Sequence, residues 1–110
     1  MPMNITSRTI FREQVMKPTL VLFRSETCLP CSQVTPLFRK MQKDPDLKEF
    51  DFVEVDSTNG RRVLAMENIH MFPTLCYYRK GNLIMTMKLT TYDQYKDFKR
   101  DVISKLSRSK

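Results

Sequence analysis

Long apolar runs are missing from this chain of 110 residues, and none approaches the roughly 20 residues that a membrane-spanning helix needs. The N-terminal stretch MPMNITSRTIFREQ has neither the apolar segment nor the small-residue cleavage site of a secretory signal. Low-complexity tracts and internal repeats are also missing, and the length suits one compact domain. We therefore expect a single domain, residues 1–110, located in the cytoplasm and not attached to a membrane.

Cysteine is scarce, since the chain has three, whereas a disulfide-dense secreted scaffold would carry more of them and an even number. A chain of this length can bury a core without a disulfide or a metal ion. Two of the cysteines stand close together in TCLPCS, residues 27–32. A close pair in a chain that we expect to be intracellular indicates redox or metal chemistry.

The formal net charge is +7, and basic residues are concentrated towards the C-terminus. This charge is compatible with an ordinary solvated surface, with an acidic protein partner or with nucleic acid. The basic tail has no known nucleic-acid motif and no interleaved aromatic residue beyond Phe98, so nucleic acid is not favoured.

Apolar patterning predicts alternating strands and helices. Continuous apolar runs such as TLVLF, residues 19–23, are typical of strands that are covered on both faces. Strands are predicted at 3–6, 19–23, 50–55, 74–79 and 83–89, with helices from Ser7 to Met16, Cys31 to Lys43, the 56–59 turn to Asn68, and Thr91 onward. We expect an α/β fold: a four- to five-stranded mixed sheet flanked by helices on both faces.

Cys28 falls between the end of a predicted central strand and the start of a helix, where α/β proteins place their sites. Unpaired backbone N–H groups and the helix dipole favour a thiolate there, so we expect Cys28 to be the nucleophile. Cys31 is one helical turn further on and close enough to form a disulfide with it. Pro30 suits the first turn of the helix.

Two alternatives remain for the pair. A zinc site needs about four ligands, and the other candidates, Cys76 and His70, have spacings that fit no usual pattern. A purely structural disulfide across so short a loop would constrain the unfolded chain little. We expect Cys76 to be a small core residue and His70 to lie on a surface loop, so no metal site is predicted.

Four separated features give the chain its resemblance to the thioredoxin family, and they cover nearly its whole length. These features are LVLFRSETCLPC, Pro36 five residues after the second cysteine, FPTL at residues 72–75, and KG at residues 80–81 before a last strand and helix. The resemblance implies a cis peptide bond before Pro73, attack by Cys28 and resolution by Cys31, with Leu29 and Pro30 completing the motif. It also implies a substrate groove formed by Thr27, Met71, Phe72 and Thr74.

The chain departs from the family pattern at several positions. Thr27 and Arg24 stand where the family has tryptophan, and the chain has no tryptophan. Leu22 and Phe52 fall where the family has a buried aspartate and its lysine partner, which leaves Glu26 as a candidate substitute for proton transfer. Met71 replaces a glycine, so we expect a more apolar rim and an altered choice of partner.

The function that the resemblance implies is that of a thiol-disulfide oxidoreductase, a protein-disulfide reductase acting on disulfide-containing proteins. It implies no bound cofactor other than the redox-active disulfide, and reduction by an NADPH-dependent thioredoxin reductase. We expect a monomer. Two alternatives stay open: the same chemistry run as an oxidase or isomerase, and a non-redox binding subunit of a larger assembly.

Overall fold

The computed structural model describes residues 2–87 and 92–109, the side chains of Tyr92 and Ser109 excepted. The strands within these ranges are β1 (Met3–Asn4), β2 (Thr19–Arg24), β3 (Asp51–Asp56), β4 (Thr74–Arg79) and β5 (Asn82–Met87). The helices are α1 (Arg8–Gln14), α2 (Leu29–Met41), α3 (Arg61–Met66) and α4 (Tyr92–Ser109), with a short 3-10 helix at Pro45–Leu47.

The strands form one mixed sheet in the order β1-β3-β2-β4-β5. Strand β3 pairs in parallel with both β1 and β2, whereas β4 is antiparallel to β2 and to β5. Strand β2 lies at the centre, and its residues from Thr19 to Phe23 are fully buried, which explains the unbroken apolar run. The expected α/β architecture with a mixed sheet is confirmed.

Helices cover both faces of the sheet, and each face has its own apolar cluster. On one face, α2 and α4 contribute Phe38 and Phe98 to a cluster that contains Leu22 and Phe52. On the other face, α1 and α3 pack against Val21, Phe23, Val53 and Val55 of the central strands. Because successive strand residues point to opposite faces, β2 and β3 supply apolar side chains to both clusters.

The ends of several helices differ from the sequence prediction for local reasons. Helix α2 begins at Leu29, before Cys31, because Cys28 caps it and a proline occupies its first turn; it ends at Met41, before Lys43. Helix α1 ends at Gln14. The carbonyls of the next two residues accept the N–H groups of the β4–β5 turn.

Helix α3 starts at Arg61, after Gly60, and no side chain of the preceding turn caps it. The carboxylate of Asp56 instead accepts the N–H of Thr58 at 2.7 Å. The helix ends at Met66, two residues before Asn68, whose backbone is left-handed with φ 58°. The predicted end of β5 at residues 88–89 and the predicted start of the last helix at Thr91 lie outside the described residues.

Close packing fixes the turn between β3 and α3. The N–H of Gly60 donates to the carbonyl of Asp56 at 2.7 Å. A Cβ at position 60 would lie 2.5 Å from Cγ1 of Val55 and 2.7 Å from the same carbonyl oxygen. Glycine is therefore required here by space rather than by backbone conformation.

The topology places three loops at one edge of the sheet. Parallel strands β2 and β3 both end there, at Arg24 and Asp56, which are partners in the register. Strand β4 runs the opposite way and starts there, because Thr74 pairs with Phe23. The segments 25–28, 57–60 and 72–73 therefore meet at the same edge, where the sequence predicted the site.

Candidate functional site

Cys28 is the N-cap of α2. Its backbone is extended, with φ −90° and ψ 109°, and its Sγ accepts the N–H of Cys31 at 3.2 Å. The two sulfurs form a disulfide, and their Cα atoms are 5.3 Å apart. A sulfur at this position faces the unpaired N–H groups of the first helical turn, so the helix start stabilises negative charge on it.

The two cysteines differ in their access to solvent. Cys31 is 4% exposed, whereas Cys28 is only partly buried. The residues around Cys28 are open: Leu29 is 84% exposed, and Thr27 and Pro30 are also exposed. A second molecule can therefore reach Cys28 more readily than Cys31.

A shallow depression of about 230 Å³ adjoins both sulfurs. Its lining residues are Arg24, Ser25, Glu26, Cys28, Cys31, Ser32 and Thr35. Thr35 donates its hydroxyl to the carbonyl of Cys31 at 2.8 Å, and Ser32 donates to the carbonyl of Leu29 at 2.7 Å. Glu26, whose side chain is exposed, lines the same depression as the disulfide.

The peptide bond between Phe72 and Pro73 is cis, as the resemblance implied. Pro73 is buried, and Thr74, 9% exposed, donates its hydroxyl to the carbonyl of Met71 at 2.7 Å. Met71 is 61% exposed, so its side chain forms an apolar rim. The ring of Phe72 packs against the apolar cluster of the α1 and α3 face. The backbone of Phe72, rather than its ring, is therefore the part that can line the predicted substrate groove.

A buried ion network lies at the end of the central strands, and the sequence analysis missed it. Arg24 donates from Nε to Glu54 at 2.9 Å and from Nη1 to Asp56 at 2.6 Å. Arg39, on α2, donates from Nε to the second oxygen of Glu54 at 3.1 Å. Glu54 and Asp56 are each 3% exposed. The Glu54 carboxylate also raises the pKa of Arg39.

The stretch FDFVEVD places acidic residues on a predicted strand, which indicates that they need partners if that strand is buried, but it does not identify those partners. Leu22 and Phe52 are both buried in the α2 and α4 cluster, as the sequence indicated. Leu22 pairs in the register with Glu54, so a buried carboxylate lies on the strand next to it. That carboxylate is held between two guanidinium groups.

The remaining candidates are not gathered at the disulfide. His70 is exposed, and its Nε2 is 2.7 Å from Oδ1 of Asn68. Cys76 is fully buried in β4, and burial raises the pKa of its thiol to about 11. Within residues 2–87 and 92–109, no three His, Cys, Asp or Glu side chains are grouped as a metal site requires.

Comparison with known proteins identifies the family. A family model described as Thioredoxin matches residues 2–103. The chain is 32% identical over 77 residues to a thioredoxin of Acetoanaerobium sticklandii. The matched region covers 67% of this chain and 72% of that protein. The chain belongs to the thioredoxin family.

Solved thioredoxin structures share the fold. The thioredoxin of Malassezia sympodialis superposes with a TM-score of 0.85 at 20% identity, covering 94% of this chain and 91% of that one. The thioredoxin of Plasmodium falciparum gives 0.81 at 24% identity, covering 90% and 97%. Family membership and the Cys28–Cys31 disulfide make this protein a thiol-disulfide oxidoreductase. None of the helices described here is both long and apolar enough to cross a membrane.

Proposed function

We propose that this member of the thioredoxin family is a protein-disulfide reductase in which Cys28 attacks and Cys31 resolves. The observation that carries the proposal is the unequal placement of the two sulfurs. Cys28 lies at the start of α2 and is partly open, whereas Cys31 lies inside the helix and is 4% exposed. The accessible sulfur is also the one that the helix N-terminus favours as a thiolate.

The reaction proceeds by two thiol-disulfide exchanges. The Cys28 thiolate attacks one sulfur of the substrate disulfide, forms a mixed disulfide and releases the other sulfur as a thiolate. Cys31 then loses its proton and attacks Sγ of Cys28, which releases the second substrate thiolate. The substrate disulfide is reduced by two electrons, and the dithiol of the protein is oxidised to the Cys28–Cys31 disulfide.

The groove residues position the substrate in this proposal. The backbone of Phe72, before the cis bond, pairs with an extended substrate segment, and Thr27 and Met71 flank that segment. Thr74 holds the Met71 carbonyl through its hydroxyl. Pro73 contributes no N–H of its own. Leu29 and Pro30, both exposed, lie against the substrate on the side of Cys28.

Thioredoxin reductase regenerates thioredoxins in general, and we propose the NADPH-dependent enzyme as the electron donor of this chain. The protein itself then needs no bound cofactor, because the disulfide carries the two electrons. The reduction potential of the Cys28–Cys31 pair decides whether the protein reduces or oxidises its substrates. It can be measured by equilibration against glutathione followed by alkylation of the free thiols. A strongly reducing value supports a reductase, and a much more oxidising value supports an oxidase or isomerase.

Single serine variants test the two roles. With insulin as the disulfide substrate and dithiothreitol as the electron donor, Cys28→Ser should lose the accelerated reduction entirely. Cys31→Ser, reduced beforehand and then freed of dithiothreitol, should instead accumulate a mixed disulfide with the substrate through Cys28. Cys76→Ser is the matched control and should keep full activity. Persistent insulin reduction by Cys28→Ser would refute the assignment.

A further inference from the structure

A second groove, of about 420 Å³, lies beside the cis bond on the α3 face of the sheet. Its lining comes from the end of α3, the segment before the cis bond, and strands β4 and β5: Glu67, Asn68, Ile69, His70, Met71, Thr74, Leu83 and Thr86. We propose that this groove is a substrate subsite that takes a large apolar side chain from the polypeptide whose disulfide Cys28 attacks. This inference rests on the proposed function.

The polar groups of the groove are already paired with protein atoms. Tyr78 donates its hydroxyl to Glu67 at 2.7 Å, and His70 is paired with Asn68. The hydroxyl of Thr86 is 3.5 Å from Sγ of Cys76. The carboxylate of Glu67 would repel an anionic guest, whereas an apolar guest would gain by burial.

The apolar lining is open to a guest. Met71 is 61% exposed and Leu83 is 50% exposed, so both side chains have surface to bury. Methionine adapts its shape to different partners, which suits a subsite for more than one apolar residue. The binding energy would come from surface that is exposed in the free protein.

The groove continues from the proposed substrate path. Met71 and Thr74 bracket the Phe72-Pro73 bond, so a segment paired with the Phe72 backbone passes the mouth of the groove. Successive side chains of an extended segment point to opposite sides. Only one register of the substrate can therefore place an apolar side chain in the groove, and the residues next to it in sequence point away.

The test uses peptides that carry one cysteine joined to nitrothiobenzoate by a disulfide. Serine fills the other positions, and one leucine is moved along the peptide a position at a time. The attack of Cys28 on the peptide sulfur releases the coloured thiolate, which gives the rate constant directly. Leucine at one position should raise this rate constant about tenfold, and leucine at the adjacent positions should not.

One variant and a matched control locate the effect. Leu83→Gln should remove the gain from leucine while leaving the rate on the all-serine peptide unchanged. Ile84 follows Leu83 in β5, is 40% exposed and does not line the groove, so Ile84→Gln should keep the full gain.

The outcomes separate the subsite from the chemistry. If leucine gives no gain at any position, or if Leu83→Gln and Ile84→Gln behave alike, the subsite is refuted and the disulfide chemistry stands. If the reduced protein releases no more thiolate from the all-serine peptide than Cys28→Ser does, the proposed function fails and the subsite falls with it.

Discussion

Arg24 donates from its Nε to the carboxylate of Glu54 at 2.9 Å, across from β2 to β3. The same carboxylate accepts from Arg39, whose helix α2 also carries Cys31. One buried acid therefore ties the strand that leads into the site to the helix that leads out of it. Because Glu54 is 3% exposed, its carboxylate oxygens are bonded by these two guanidinium groups in place of water.

Replacement of Glu54 should be strongly destabilising. Glu54→Gln removes the carboxylate that Arg39 binds and one of the two that Arg24 binds, and the loss of a hydrogen bond to a charged group costs about 1.5–3 kcal/mol. Urea unfolding followed by circular dichroism measures the loss. Arg39→Gln should cost clearly less, because the Arg39 side chain is 41% exposed. Equal losses in the two variants would contradict the assignment of the buried carboxylate as the centre of the network.

Gly60 offers a second stability test. Gly60→Ala would push a methyl group against the β3 backbone and Val55, and overpacking of this kind costs about 1–3 kcal/mol. Gly81 is the control, since its φ of 80° suits asparagine among the larger residues. Gly81→Asn should lose less stability than Gly60→Ala in the same urea titration, and the reverse order would refute the steric argument.

The fall in the free energy of unfolding at acid pH, the acid limb of the stability profile, should depend on Asp44. Lys99 holds the pKa of this carboxyl below its usual range, and Tyr95 also donates to it at 2.8 Å. A lowered pKa in the folded state means that the stabilisation is present above about pH 3.9 and is lost as the pH falls through the lowered value. Asp44→Asn should therefore lose stability at neutral pH and show a flatter acid limb.

Urea midpoints of both proteins across this range check the prediction. Asp44 accepts the N–H of Asp46 at 3.0 Å, and the amide oxygen that Asp44→Asn introduces can accept the same N–H, so the turn itself should persist. Glu13→Gln, which changes an exposed carboxyl on α1, should leave the acid limb unchanged. An acid limb that is equally steep with and without Asp44 would show that this carboxyl is not the titrating group.

Cys76 should behave differently from the site cysteines in alkylation. Its pKa is raised to about 11 by burial, and the thiolate is the reactive form. After reduction of the disulfide, iodoacetamide at mildly alkaline pH should label Cys28 in the folded protein, and should label Cys76 only when urea is added. Mass spectrometry of tryptic peptides identifies the labelled residues. Rapid labelling of Cys76 in the folded protein would make it a candidate third redox thiol.

The sequence predicted the elements that depend on uninterrupted burial. The run at 19–23 is apolar because β2 is covered on both faces, and that alone indicates a central strand. The position of Cys28 followed from the strand and the helix on either side of it. The cis bond at Pro73 came from the family resemblance, since sequence composition gives it only a low probability.

The ion network could not be predicted because it depends on the register of strands far apart in sequence. Arg24 and Asp56 are separated by 32 positions and become neighbours only when β2 and β3 pair. In FDFVEVD, an acidic residue between apolar ones is typical of a strand with a solvated face. The structure places α2 over that face, so Glu54 is buried and must be paired.

The N-cap hydrogen bond makes the start of α2 a reporter of the redox state. The N–H of Cys31 donates to Sγ of Cys28, and a thiolate is a stronger acceptor than a neutral disulfide sulfur. The amide proton of Cys31 should therefore exchange with solvent more slowly in the reduced protein. The exchange rate of this one backbone amide would therefore report whether the disulfide has been reduced by two electrons.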